Sequence, residues 1–368
     1  MIRLTVPTLD EDDFAAVRAV LKSGYLVQGP RVIEFEQKIA AYVGVKEAVA
    51  VTSATAALFL SLDVLELKPA QKVAVTSYSW PSTSNVISLH KAEPVFVDID
   101  PCTFNIDPKK LEEALEEEPD IVGILPVHAF GQTCNMSAIC AIARKFGVWV
   151  LEDAACALGG MWDNRPAGSW GNLGCFSFHP RKAITTGEGG IITTDDESLA
   201  EKLRILRNHG MSRQDGSVEF LMPAHNFRMT EMQGALGCSQ LDKLDTIIES
   251  RRKGAEKYNE LFAETSLKVP KAEELAHHVY QTYVVILPPQ IDRNLVIENL
   301  KKNSIESTIG TYHLALTKYQ KEKSKYSPTD FPHANSSYHH SLSLPLYHGI
   351  TKDEQETVAR CLLNLIGQ

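Results

Sequence analysis

Lys182 stands in the run Gly174-Cys175-Phe176-Ser177-Phe178-His179-Pro180-Arg181-Lys182-Ala183-Ile184-Thr185-Thr186-Gly187-Glu188-Gly189-Gly190. The run sets one lysine among hydroxyls and a histidine, then turns on a glycine cluster into the apolar Ile191-Ile192-Thr193-Thr194. A lysine held this way is a candidate Schiff-base former, the residue type that carries pyridoxal phosphate. A solvent-facing lysine beside a turn is the other reading of the segment taken alone.

Its companions bear on that choice. Phe146-Gly147-Val148-Trp149-Val150-Leu151-Glu152-Asp153 reads as a helix stop, a short apolar strand and then a carboxylate. Ligands of open α/β sheets lie outside the carboxyl ends of the strands. Asp153 is therefore placed to meet a cofactor, and an ionised acid against a pyridine nitrogen keeps that nitrogen protonated. Capping of the segment from Ala154 is an equal reading. Glu47 to Thr52 is strand-like, and Ser53-Ala54-Thr55-Ala56-Ala57-Leu58 opens a helix. A strand that runs into a helix N-terminus rich in hydroxyls is an anion site by geometry; plain N-capping by Ser53 explains it too. Trp80 follows the strand-like Val73 to Thr76 and is either a ring to stack on a flat cofactor or a core tryptophan.

These segments resemble the DegT/StrS-type family of pyridoxal-phosphate-dependent nucleotide-sugar aminotransferases. The resemblance runs nearly end to end: Gln28-Gly29-Pro30 with Phe35-Glu36, Ser53 to Leu58, Pro94 to Asp100, Pro126-Val127-His128 with Gly131-Gln132, Glu152-Asp153-Ala154-Ala155, Ser177 to Gly190, and Asn226-Phe227-Arg228-Met229-Thr230-Glu231. It implies that Lys182 links covalently to pyridoxal 5'-phosphate and shuttles protons. It implies that Asp153 pairs with the ring nitrogen, that Trp80 covers one ring face, and that Ala54, Thr55 and Ser177 hold the phosphate. His179 and Cys156 would lie beside the cofactor. Asn226 would reach it from a second subunit, so the active site would need a homodimer. Arg228, Tyr312 and His313 would face the substrate. The substrates implied are a nucleotide-linked keto sugar and an amino-acid donor, L-glutamate, in surface-polysaccharide or natural-product sugar biosynthesis. A cyclitol aminotransferase of the same family would share every one of these motifs; a non-catalytic cofactor-binding regulator is the non-enzyme alternative, and the presence of both Lys182 and Asp153 argues against it.

The chain departs from the family pattern in three places. Ala54 replaces a glycine of the phosphate cradle, so the backbone there must be one a Cβ tolerates. Cys156 stands where Gln or His is common, and a thiol is a weak hydrogen-bonding group. Ala224-His225 replaces a glycine-containing run before Asn226. A dehydratase branch of the family carries histidine in place of the lysine; Lys182 is present here, which favours transamination.

Composition limits the alternatives. The chain has 368 residues, 44% hydrophobic and 23% charged, enough for a large core. A net charge of −9 argues against nucleic acid or anionic membrane as a general partner. Arg207, His209, Arg213, His225 and Arg228 still offer a local patch for a nucleotide diphosphate, or else a solvated basic face. Seven cysteines, an odd number with no zinc spacing, read as free thiols of a reducing compartment. No metal is expected, since the adjacent pairs His277-His278 and His339-His340 cannot face one site. The N-terminus lacks a signal-like apolar stretch and no run is long enough to span a membrane, so a cytoplasmic location is expected.

Strand-like and helix-like segments alternate from about residue 30 to 195, which predicts a mostly parallel sheet with helices on both faces. Arg31 to Val43 ends at Gly44, Asp107-Pro108 starts a helix, and Ser137 to Phe146 ends at Gly147. Thr230 to about Glu264 reads as one long or broken helix. Val279 to Leu287 reads as a strand, Asn294 to Lys302 as a helix and Ser341 to Leu346 as an extended run. Lys318 to Asp330 reads as a mobile loop, and Thr351 to Glu354 as a capping box. Together with the resemblance, this predicts an α/β, fold-type-I transferase. Residues 1–250 would form a large domain around a seven-stranded sheet, and residues 251–368 a smaller α+β domain.

Overall fold

The computed structural model describes residues 1–214, 217–324 and 326–368, with only the backbone of Arg213 and Gln214. Its centre is a seven-stranded sheet of β1 (Glu47–Val51), β2 (Lys72–Thr76), β3 (Glu93–Val97), β4 (Ile121–Leu125), β5 (Trp149–Asp153), β6 (Leu173–Ser177) and β7 (Gly190–Thr194). The order across the sheet is β1-β7-β6-β5-β4-β2-β3. Strand β7 runs antiparallel to both neighbours, and every other pairing is parallel.

The apolar runs of the sequence become strands because both faces are covered. Helices α1 (Glu11–Ser23), α2 (Pro30–Val43) and α3 (Ala54–Val64) flank β1 in the chain. Side chains alternate along β1: Val49 and Val51 pack with Leu58, Leu60 and Leu62 of α3, while Ala48 and Ala50 pack with Val32, Phe35 and Ile39 of α2. Helix α2 stops at Gly44, which takes the left-handed φ of 76° that a C-cap favours. The helices at Asp107-Pro108 and before Gly147 form as expected, over Pro108–Glu117 and Met136–Phe146.

The segment after Thr230 is a broken helix, Glu231–Leu241 and then Leu244–Phe262. The second piece joins two cores. Leu244, Ile247 and Ile248 pack beside the central sheet. Ala255, Tyr258 and Phe262 pack on a three-stranded antiparallel sheet of Tyr283–Ile286, Ser341–Leu344 and Thr308–Ile309. Arg251 sits between them, buried, and donates to the carbonyls of Tyr280, Gln281 and Leu346. The N-terminal residues join this second core, through a bridge from Ile2 to Ile305.

Two local expectations change. The strand foreseen over 279–287 is confined to Tyr283–Ile286, since Tyr280 takes a left-handed φ of 46° and His278 stacks on its ring. The polar segment 318–330 holds a short helix, Lys318–Lys323, and a 3-10 turn, Pro328–Asp330; Lys325 lies outside the described residues. Among the described residues no helix is long and apolar enough to cross a membrane.

Candidate active site

A cavity of about 580 Å³ opens outside the carboxyl ends of the parallel strands. Strand ends and the loops after them supply its walls. Ser53, Ala54 and Thr55 follow β1, Trp80 follows β2, Asp153 ends β5 and Cys156 follows it. Ser177, His179, Arg181 and Lys182 lie on the connection from β6 to β7. Gln281, Thr282, Gly310 and Thr311 close it from the C-terminal part.

The lysine loop is tied tightly. Phe178 N–H donates to the Gly189 carbonyl, Thr185 Oγ1 to the Phe178 carbonyl, and Lys182 N–H to the His179 carbonyl. Lys182 Nζ reaches into the cavity and lies 3.0 Å from Cys156 Sγ. His179 Nδ1 accepts the Arg181 amide at 3.2 Å, and burial lowers the imidazole pKa.

Asp153 is 4% exposed. Its Oδ2 accepts from Thr83 Oγ1 at 2.8 Å and its Oδ1 from the Ala155 amide at 3.2 Å. It has no ion pair among the described residues. Burial therefore raises its pKa, and the Thr83 bond, the Ala155 amide and the Lys182 charge offset only part of that rise. A buried carboxylate lacking a cation at contact is suited to a protonated ring nitrogen.

The start of α3 is an anion cradle. Ser53 caps the helix by accepting the Ala56 amide. The amides of Ala54 and Thr55 belong to the first turn, whose donors the helix cannot pair. Ala54 is an ordinary helical residue, so its Cβ brings no backbone strain. Gly190 of the neighbouring strand packs against this turn: a Cβ there would lie 2.3 Å from the Ser53 carbonyl carbon and 2.6 Å from Ala54 N. Gly190→Ala must push the turn aside, at a cost of about 1–3 kcal/mol. We expect a lower melting temperature and weaker pyridoxal phosphate binding by equilibrium dialysis; unchanged affinity would show that the turn is scaffold only.

Eight residues expected at the site therefore meet in one cavity: Ala54, Thr55, Trp80, Asp153, Cys156, Ser177, His179 and Lys182. The remaining four do not line it. Tyr312 stands at the rim, its ring 5.5 Å from that of Trp80. His313 is buried beside Phe331. Asn226 is exposed, and Arg228 donates to Asn208 Oδ1 at 2.6 Å. The basic patch is also thinned. Arg207 is buried, ion-paired with Glu36 and bonded to the Ala50 carbonyl, and the Arg213 side chain lies outside the described residues.

Sequence reasoning passed over Thr83, which orients Asp153, and Gln281, whose Nε2 donates to the Arg181 carbonyl at 2.7 Å. Both act across the fold, and no local spacing marks them. Glu152 did carry a signal: a charged residue inside an apolar strand must find partners.

The chain can be set beside known proteins. The profile of the DegT/DnrJ/EryC1/StrS aminotransferase family matches residues 7–363. The spore coat polysaccharide biosynthesis protein SpsC of Bacillus subtilis is 37% identical over 376 aligned positions, covering 98% of this chain and 96% of that protein. The structure of PseC from Helicobacter pylori, an aminotransferase involved in pseudoaminic acid biosynthesis, superposes with a TM-score of 0.93 at 28% identity, covering 99% of this chain and 98% of the other. The putative sugar aminotransferase Spr1654 from Streptococcus pneumoniae, in its PLP form, gives a TM-score of 0.93 at 27% identity with the same coverage. The family is pyridoxal-phosphate dependent, and the lysine, the buried carboxylate and the anion cradle fit that cofactor. With this match over nearly its whole length, the chain belongs to the DegT/DnrJ/EryC1/StrS family of aminotransferases.

Proposed function

We propose that the protein moves an amino group from an amino acid, L-glutamate, to a nucleotide-linked keto sugar in polysaccharide or natural-product biosynthesis. The observation that carries this reading is the meeting of Lys182 and Asp153 in one cavity beside the α3 cradle. The sugar assignment draws on what SpsC, PseC and Spr1654 are described as doing.

Bound pyridoxal phosphate supplies a carbonyl for amines and an electron-withdrawing ring. The amides of Ala54 and Thr55, with Ser177, hold its phosphate. Asp153 holds the ring-nitrogen proton, and Trp80 covers one face. Lys182 Nζ would take the proton from the donor Cα. It would hand that proton back within the same half-reaction. The same two transfers in reverse place the nitrogen on the sugar carbon. The site is reloaded between half-reactions, so kinetics are ping-pong.

Asn226 is exposed and stands away from its own cavity, which suits service to the cavity of a second copy. A homodimer with shared sites is thus part of the proposal.

The test supplies L-glutamate labelled with ¹⁵N and a panel of nucleotide-linked keto sugars, free keto sugars and keto cyclitols. Mass spectrometry should find ¹⁵N in a nucleotide-linked amino sugar and 2-oxoglutarate in equal amount. Label appearing only in an amino cyclitol, or only with another donor, would contradict the assignment.

A further inference from the structure

Asp153 needs a fixed position, yet among the described residues only one side chain, Thr83, bonds its carboxylate. What fixes the strand end beneath it lies on the opposite face. Successive residues of a strand point to opposite sides, so Glu152 faces away from the cavity. It is fully buried, as is His128, whose Nε2 lies 2.9 Å from Glu152 Oε2.

The hydrogen bonds around this pair define its state. Glu152 Oε1 accepts the amides of Trp170 at 2.7 Å and Gly171 at 2.8 Å. Its Oε2 accepts the Gly168 amide at 2.9 Å as well as His128. Four donors converge on two oxygens, which suits an ionised carboxylate and no other group. His128 Nδ1 accepts the Cys134 amide at 3.1 Å, so the ring proton sits on Nε2 and points at Glu152. The same two segments also meet through the backbone at the catalytic carboxylate. His128 N–H donates to the Asp153 carbonyl at 3.1 Å, and Asp153 N–H donates to the Pro126 carbonyl at 2.9 Å.

We infer that Glu152 and His128 are positioning residues for Asp153: the buried pair clamps loops 126–128 and 168–171 onto the end of β5, fixing the carboxylate that faces the cavity. The inference rests on the reading of Asp153 as partner of the cofactor's ring nitrogen. Neither residue touches the cavity.

The chemistry predicts an unusual pattern of tolerance. Glu152→Gln is nearly isosteric but turns one acceptor oxygen into a donor. Either orientation aims that NH2 group at two existing donors, so the conservative change fails. His128→Gln keeps an N–H to give Glu152 and an oxygen to accept from Cys134, so it works; His128→Leu supplies neither.

The experiment compares wild type, Asp153→Asn, Glu152→Gln, His128→Gln and His128→Leu. For each, the melting temperature of the cofactor-free protein, the dissociation constant of pyridoxal phosphate and the pH titration of the bound cofactor's absorbance are measured. We expect Glu152→Gln and His128→Leu to bind pyridoxal phosphate about 10- to 100-fold more weakly, the effect of losing a charge-assisted hydrogen bond. Their absorbance titrations should move in the same direction as that of Asp153→Asn, while His128→Gln stays near wild type. A lower melting temperature with wild-type affinity and titration in both variants would overturn the inference and leave a scaffold pair. A wild-type titration in Asp153→Asn would instead sink the Asp153 reading, and this proposal with it. If Glu152→Gln yields no folded protein, His128→Leu decides, because the three backbone amides keep their acceptor. Loss of fold in both counts against positioning.

Discussion

Lys182→Ala should abolish turnover and remove the visible absorbance of the lysine-bound cofactor. The size of the effect follows from the geometry. Among the described residues lining the cavity, Lys182 provides the amine that can both carry the cofactor and move a proton at the reacting carbon. A positioned acid–base group is worth about 10²–10⁴ in rate, and loss of the covalent link adds to that, so a fall of at least about 10⁴-fold is expected. Cys156 Sγ, 3.0 Å from Nζ, is a weak base with no reach to replace it. Stopped-flow turnover and an absorbance scan check the result. A variant that turns over at a near-native rate would refute the mechanism.

Asp153→Asn has opposite effects with and without cofactor. In the cofactor-free protein, burial holds the Asp153 pKa above its unfolded value. The folded chain then binds the proton more tightly than the unfolded chain between those two values. Stability accordingly falls as pH rises through that window and stays reduced above it. At neutral pH the ionised carboxylate is a cost that asparagine does not carry. Cofactor-free Asp153→Asn should therefore melt at or above the wild-type temperature near pH 7. The wild type should recover stability on acidification through the window, and the variant should show no such gain. With pyridoxal phosphate present the order reverses, since asparagine cannot hold the ring-nitrogen proton. Breaking a buried ion pair costs about 3–5 kcal/mol, which corresponds to a loss in kcat/KM of about 10²–10⁴-fold. Melts with and without cofactor, beside steady-state rates, check both halves. A cofactor-free variant that melts well below wild type would contradict the electrostatic account.

The elements most legible in the sequence are those with their own start and stop signals. Gly44 and Gly147 end helices by taking left-handed φ, and Asp107, Thr230 and Thr351 start them with side-chain caps. The central sheet follows from short apolar runs alternating with such helices. The cavity was visible because its parts follow strand ends, where this architecture gathers them. What local pattern could not reveal depends on distant partners. Arg207 looks like surface charge until Glu36, 171 residues away, takes it into the core. Residues 279–282 look like a strand until Arg251 gathers the carbonyls of Tyr280 and Gln281. His313 lies beside Tyr312 in sequence but on the opposite side of its short strand, so one ring reaches the rim and the other the core.

The central claim is that Lys182 and its cavity run the first half of an amino transfer. The most direct test is the absorbance spectrum of the purified, cofactor-loaded protein before and after excess L-glutamate. The account predicts a visible band from the lysine-bound cofactor that shifts to the pyridoxamine region as 2-oxoglutarate appears, and the reverse shift on adding 2-oxoglutarate. A band that forms yet ignores glutamate and every other amino acid would contradict it, leaving a protein that binds the cofactor without using it.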